Sequence, residues 1–246
     1  MRQPLSSAAS GATRTSRRPA STIIFDKDGT LLDAHKLWGP IVSSACSLMP
    51  EEDEVLFRLL GYDSATGTFT PTAPFMIEPN SVVYANLQDA GIDADVFFAH
   101  LWAQPTPSAP IMDTQVLFAR CRTAGLHVGV LTSDDRQSAL NFLEQEGVKA
   151  DAIVCGDDGR GQKPSAEPLL ALASDLNVDA ASMVMVGDST HDIDCGKAAG
   201  ALTVGVLTGV GGHSELGSAD MLLRSVADID HAMLADWASG SPHELV

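Results

Sequence analysis

The stretch STIIFDKDGT, residues 21–30, decides how the chain is read. Its first half is a short β-branched and aromatic run, the composition of a buried strand. Its second half turns abruptly polar, with Asp26, Lys27 and Asp28 followed by Gly29 and Thr30, residues that suit a sharp turn. Two carboxylates two positions apart are common and by themselves read equally well as a turn device. Recurrence gives them weight. Residues 126–131 (LHVGVL) end at Thr132-Ser133-Asp134, and residues 152–155 (AIVC) run into a Gly/Asp-rich loop that leads to Lys163-Pro164. Residues 183–186 (MVMV) end at Gly187-Asp188, with Asp192 four positions on, and a fifth apolar run covers 201–207. Helix-like segments at 114–124 and 192–199 lie between these runs. Strands alternating with helices from residue 113 onward predict an α/β fold with a Rossmann-like parallel sheet.

Residues 34–112 leave that alternation. Segments 50–60, 80–90 and 93–102 have helical character, a turn-rich loop covers 61–79, and a Pro-rich stretch at 105–110 reads as an exit linker. The expected organisation is therefore an N-terminal arm over 1–20, a core built from 21–33 and 113–240, and an inserted α-helical domain over 34–112.

The chain has 246 residues, 45% of them hydrophobic and 19% charged, enough for a substantial core. The first 25 residues carry four arginines and no acid, so against a whole-chain charge of −17 the remainder stands at −21. Such a body repels nucleic-acid backbones, and nucleic acid is excluded as a partner. No stretch approaches the roughly 20 apolar residues of a membrane span, so no membrane partner is expected. Cys46, Cys121, Cys155 and Cys195 form no CxxC pair and read as unrelated buried thiols of a reducing compartment. The arm is rich in Arg and Ser and lacks an apolar signal core. It reads as an address-free extension of a cytoplasmic protein, with an organellar transit peptide as the other reading. Monomer and homodimer are both open.

In open parallel sheets ligands bind beyond the carboxyl ends of the strands, where all four polar clusters fall. Asp26 offers a carboxylate nucleophile, whose attack on phosphorus would give an acyl phosphate that water can hydrolyse. Asp28 is placed to protonate the leaving oxygen and then to activate that water. Thr132 and Ser133, with nearby backbone N–H groups, and Lys163 are the candidate phosphate binders. Two carboxylates facing a phosphate dianion require a cation. Asp26, a backbone carbonyl near Asp28, Asp188 and Asp192 make an all-oxygen set suited to Mg²⁺. Asp192 also reads as a first-turn acid of the following helix. Asp134-Asp135 and Asp157-Asp158 read as solvated loop acids.

FDKDGTL (25–31), VLTSD (130–134), QKPSAEP (162–168) and VGDSTHDID (186–194) together resemble the four motifs of the haloacid dehalogenase superfamily. The resemblance covers residues 22–235. It implies a Rossmann-like core, a helical cap inserted between the first two motifs, and a phospho-aspartate mechanism acting on a small phosphorylated metabolite. An aspartate two positions after the nucleophile, here Asp28, implies a phosphatase or phosphomutase rather than a dehalogenase. The segment LGYDSATGTFTP (60–71) resembles the phosphoglycolate-phosphatase-like branch. His35, Lys36, Arg58 and the 61–79 loop are the candidate cap contributors to the pocket. Two departures touch the cap's connections: Pro107-Ser108-Ala109-Pro110-Ile111 replaces the common PxPGV, and Ala34 stands where a serine is frequent. A phosphosugar mutase and a non-catalytic receiver-like regulatory module remain alternatives.

Overall fold

The computed structural model describes residues 18–241; residues 1–17 of the expected arm and the last five residues lie outside them. Within the described part, Ala20 donates its N–H to the Trp237 carbonyl at 2.7 Å, and Arg18 pairs with Asp179. Strand β1 (Thr22–Phe25) is followed by helices α1 (Ala34–Ser47) and α2 (Asp53–Leu60), then by a small hairpin of β2 (Tyr62–Asp63) and β3 (Thr68–Phe69). Helices α3 (Pro74–Ile77), α4 (Asn80–Asp89) and α5 (Ala94–Trp102) complete this segment. From there the chain alternates through α6 (Thr114–Thr123), β4 (His127–Leu131), α7 (Arg136–Gln145), β5 (Ala152–Val154), α8 (Glu167–Leu176) and β6 (Met183–Gly187). It ends with α9 (Thr190–Ala199), β7 (Leu202–Val206), α10 (His213–Leu216), β8 (Met221–Leu223) and α11 (His231–Ser239).

Six strands form one sheet in the order β5-β4-β1-β6-β7-β8, with every neighbouring pair parallel. This is the expected α/β architecture, with β8 as a sixth strand that the apolar runs did not announce. The sheet is covered on both faces, which explains why its strands read as continuous apolar runs. Ile23 and Phe25 of β1 join Val184 and Val186 in one core with Phe118 of α6 and Phe142 of α7. Ile24, Met183 and Met185 point the other way, into a second core with Leu169 and Leu172 of α8 and Cys195 of α9.

Helix α1 is the largest departure from the sequence pattern, which singled out no helix at 34–47. Pro40 lies inside it and masks it, because proline removes a backbone donor from a helix interior. The helix forms because Ala34, Leu37, Trp38, Ile41, Val42, Ala45 and Cys46 are buried on one face while Pro40 faces solvent. Asp33 caps its start, accepting the Lys36 N–H at 3.0 Å. The 61–79 loop is also more ordered than a plain loop, since it contains β2, β3 and α3.

The helical segment leaves and rejoins the sheet at one place. Asp33 donates its N–H to the Ala109 carbonyl at 2.8 Å, and Ile111 donates to Leu31 at 2.9 Å. Its buried side chains, including Trp38, Val42, Phe97 and Leu101, belong to the same core as β1 and α6.

Candidate active site

The four adjacent strands β5, β4, β1 and β6 deliver the four polar clusters to one edge of the sheet. The Asp26 N–H donates to Val186 at 2.9 Å and the Thr132 N–H donates to Val154 at 3.1 Å, so both residues sit where their strands end. The chain then folds back on itself: Leu31 and Leu32 donate to the Lys27 carbonyl at 2.9 and 3.0 Å. Gly29 takes φ +87, a left-handed conformation that favours glycine.

Three carboxylates converge behind this turn. Asp26, Asp188 and Asp192 each offer an oxygen within 4.8 Å of the others, and all three are buried. Among the described residues one cation is bonded into the cluster: Lys163 Nζ donates to Asp26 Oδ1 and to Asp192 Oδ1, both at 2.7 Å. Burial pushes Asp26 up to about 7, against the pull of Lys163. Burial, followed by the charges of Asp26 and Asp192, also raises Asp188. Three buried acids against one lysine leave a surplus of negative charge. A divalent cation is the group that such an all-oxygen cluster fits.

The surroundings of Asp188 leave its carboxylate room. The Val210 N–H donates to Oδ2 at 2.8 Å, and the Thr30 hydroxyl reaches Oδ1 at 3.4 Å. Gly29 and Gly209 flank it so closely that a Cβ on either would collide with the carboxylate. Asp192 does double service. Its Oδ2 accepts from the Ser189 N–H at 3.0 Å while its own N–H donates to Ser189 Oγ at 3.4 Å, the two halves of the capping box of α9. The Ser189 hydroxyl also donates to Oδ2 at 2.6 Å, and Oδ1 holds Lys163.

Asp26, Asp28, Thr132 and Ser133 line one small cavity with Trp38, Phe75, Met76, Glu78, Asn80 and Trp102. Asp134 donates its N–H to Thr132 Oγ1 at 3.1 Å, which leaves the hydroxyl proton of Thr132 free to face the cavity. The Ser133 hydroxyl instead donates to the Ile77 carbonyl of α3 at 3.0 Å, tying the sheet edge to the helical segment.

The loop acids depart from expectation. Asp134 pairs with the buried Lys27 at 2.9 Å, and Asp158 is held by Arg136, with its Oδ1 accepting from Nε at 2.6 Å. Neither is a solvated acid, because each supplies the charge that a partly or wholly buried cation needs. Of the other named residues, part of the 61–79 loop (Phe75, Met76 and Glu78) lines the cavity. His35 does not: its Nδ1 accepts the Phe69 N–H at 3.2 Å, and its Nε2 meets the Gly209 carbonyl at 3.1 Å. Lys36 and Arg58 are exposed.

Sequence reasoning passed over Lys27, Trp38 and the glycine-rich 209–212 turn. A lysine lodged between two aspartates, and glycines clustered just after an apolar run, were the available signals.

Carboxylates, a buried lysine and a hydroxyl gathered at the carboxyl edge of a parallel sheet, with three acids close enough to hold a metal ion, make a site that can accommodate an anionic group. The sequence profile of the haloacid dehalogenase-like hydrolases matches residues 99–206. A phosphoglycolate phosphatase of Rhodospirillum rubrum is 30% identical over 228 residues, covering 87% of this chain and 89% of that one. A phosphoglycolate phosphatase of Neisseria meningitidis is 39% identical over 139 residues, 55% of this chain, and the match spans 54% of that relative's length. In structure, a β-phosphoglucomutase of Clostridium difficile superposes with a TM-score of 0.67 at 16% identity, covering 89% of this chain and 97% of that one, a likeness of fold alone. The chain belongs to the haloacid dehalogenase-like hydrolases, and its phosphatase relatives support a phosphoric monoester hydrolase. Family membership also sets aside the receiver-like regulatory module.

Proposed function

We propose that the protein is a Mg²⁺-dependent phosphatase of small phosphomonoesters that works through a phospho-aspartate on Asp26. The observation that carries this is the convergence of Asp26, Asp188 and Asp192 around Lys163, in a buried cluster beside the cavity that Asp26, Asp28 and Thr132 line. In the first step an Asp26 carboxylate oxygen attacks phosphorus, the ester P–O bond breaks, and Asp28 gives its proton to the leaving oxygen. In the second step water attacks phosphorus of the acyl phosphate and gives its proton to Asp28, the P–O bond to Asp26 breaks, and inorganic phosphate leaves with the Asp26 carboxylate restored. The Thr132 hydroxyl, the backbone N–H of Ser133 and Lys163 bind phosphoryl oxygens, the Ser133 hydroxyl being taken by the Ile77 carbonyl. Asp26, Asp188, Asp192 and the backbone carbonyl of Asp28 are the residues that would hold the metal. When bound, Mg²⁺ neutralises charge on the phosphoryl group and aligns it with the nucleophile.

Residues 34–112 act in this reading as a cap that closes over the substrate and excludes water. Phosphoglycolate is the proposed substrate, and the relatives named phosphoglycolate phosphatases support that choice. The protein is proposed to act in the cytoplasm; no helix among the described residues is long and apolar enough to cross a membrane.

The test is phosphate release from phosphoglycolate, a sugar phosphate and pyrophosphate, with Mg²⁺ and with EDTA, beside Asp26→Asn. Metal-dependent release that Asp26→Asn lowers by about 10⁴-fold or more, without loss of fold by circular dichroism, is the expected result. Near-normal turnover in the variant removes Asp26 as nucleophile. Isomerised sugar phosphate without free phosphate decides for a mutase.

A further inference from the structure

Lys27 lies between Asp26 and Asp28 in sequence but turns away from the Lys163 cluster. It is 1% exposed. Its ammonium pairs with Asp28 Oδ2 at 2.6 Å and with Asp134 Oδ2 at 2.9 Å, and it stands 5.8 Å from the centre of the Trp38 ring. A buried ammonium is strongly unfavourable unless paired, so these two carboxylates fix where it sits. Trp38, on α1, donates its Nε1–H to Asp28 Oδ1 at 2.6 Å. The indole is itself wedged edge-on against Phe75 and Trp102, at 5.6 and 6.1 Å between ring centres. Both oxygens of Asp28 are therefore held, one from the turn after β1 and one from the helical segment. Each oxygen keeps a second lone pair on which a proton can be carried.

We propose that Lys27 and Trp38 are positioning residues that fix the Asp28 carboxyl for proton transfer, with Asp134 anchoring Lys27. This rests on the reading of Asp28 as general acid and base. An unanchored Asp28 would turn about two side-chain torsions, and proton transfer at the leaving oxygen needs it in one arrangement. The need depends on the ester. When an alkyl ester breaks, the P–O electron pair stays on an alkoxide oxygen that must take the Asp28 proton. A 4-nitrophenolate leaves without one.

The test compares an alkyl phosphate with 4-nitrophenyl phosphate for the wild-type protein, Trp38→Phe and Lys27→Met. Trp38→Phe keeps an aromatic ring in place and deletes the N–H together with the five-membered ring of the indole, a loss of packing that would touch both esters alike. The expected result is a roughly 10- to 100-fold fall in kcat for the alkyl ester in both variants. The first-turnover release of nitrophenolate and both KM values should stay within about twofold, as only general acid–base catalysis is weakened. An equal loss of first-turnover rate on both esters would show that the pair merely supports the site, and unchanged alkyl kcat would show that Asp28 needs no positioning; either overturns the proposal. A wild-type protein that releases neither leaving group defeats the phosphatase reading itself, before any variant is made. A readout independent of turnover is the ¹⁵N–¹H indole resonance of Trp38, assigned by its loss in Trp38→Phe. It should shift in Asp28→Ala, and an unmoved resonance overturns the hydrogen bond.

Discussion

Asp26 illustrates how burial and charge share control of one side chain. Desolvation pushes it up to about 7 from an ordinary value of 3.8, although Lys163 pulls the other way. The folded chain then holds that proton more tightly than the unfolded chain does. The contribution of Asp26 to the stability of the metal-free protein should accordingly fall as pH rises from about 4 to about 7, and Asp188, raised by the same burial, contributes with the same sign. Protons and a dication compete for the same oxygens, so saturating Mg²⁺ should raise the melting temperature more at about pH 8 than at about pH 5. Thermal melts with Mg²⁺ and with EDTA check this, and an Mg²⁺ effect larger at the acid end contradicts it. Gly209 bears on the same cluster through lack of a side chain. Because a Cβ there would collide with the Asp188 carboxylate, Gly209→Ala should raise the Mg²⁺ concentration for half-maximal activity about tenfold, a ~1.4 kcal/mol loss. Titration of activity with Mg²⁺ would measure it.

Among the elements, α9 couples stability to the site most directly. Its capping box joins Ser189 to Asp192, and Asp192 in turn holds Lys163. Removing the hydroxyl in Ser189→Ala should cost about 1 kcal/mol of stability by denaturant unfolding. It should also lower kcat, since Asp192 loses the 2.6 Å bond that aims it at Lys163. Stability lost with kcat intact would separate the cap from the chemistry. Helix α1 shows how an element escapes local reading. Pro40 signals a break, yet the buried positions from Ala34 to Cys46 return at helical spacing and Asp33 supplies the cap. Packing of that face against the core outweighs the missing backbone bond, and propensity alone does not contain that term. Strand β8 escapes for the opposite reason. It has three residues, Met221–Leu223, too few for a period to register, and gains its place by pairing with β7.

At the scale of the whole molecule, one core runs from β1 and α6 through α1, α2, α4 and α5. With no separate core for the helical segment among the described residues, the two parts should melt together. Calorimetry should show one transition whose calorimetric and van't Hoff enthalpies agree, whereas two resolved transitions would show that the helical segment is stabilised independently. The sequence by itself determined the parallel α/β core and the four strand-end clusters, with Asp26, Asp28, Thr132, Lys163, Asp188 and Asp192 all named. These are legible because strand ends, turns and helix starts leave short-range patterns of apolar run, Asp, Gly and Thr. Tertiary structure alone decided what each of these groups touches. The Lys27–Asp134 pair, the Trp38 hydrogen bond to Asp28, the share of Lys163 between Asp26 and Asp192, and the fit of Gly209 against Asp188 join residues that lie apart in the chain. Their meeting depends on strand order and on the seating of α1, quantities that no local period encodes.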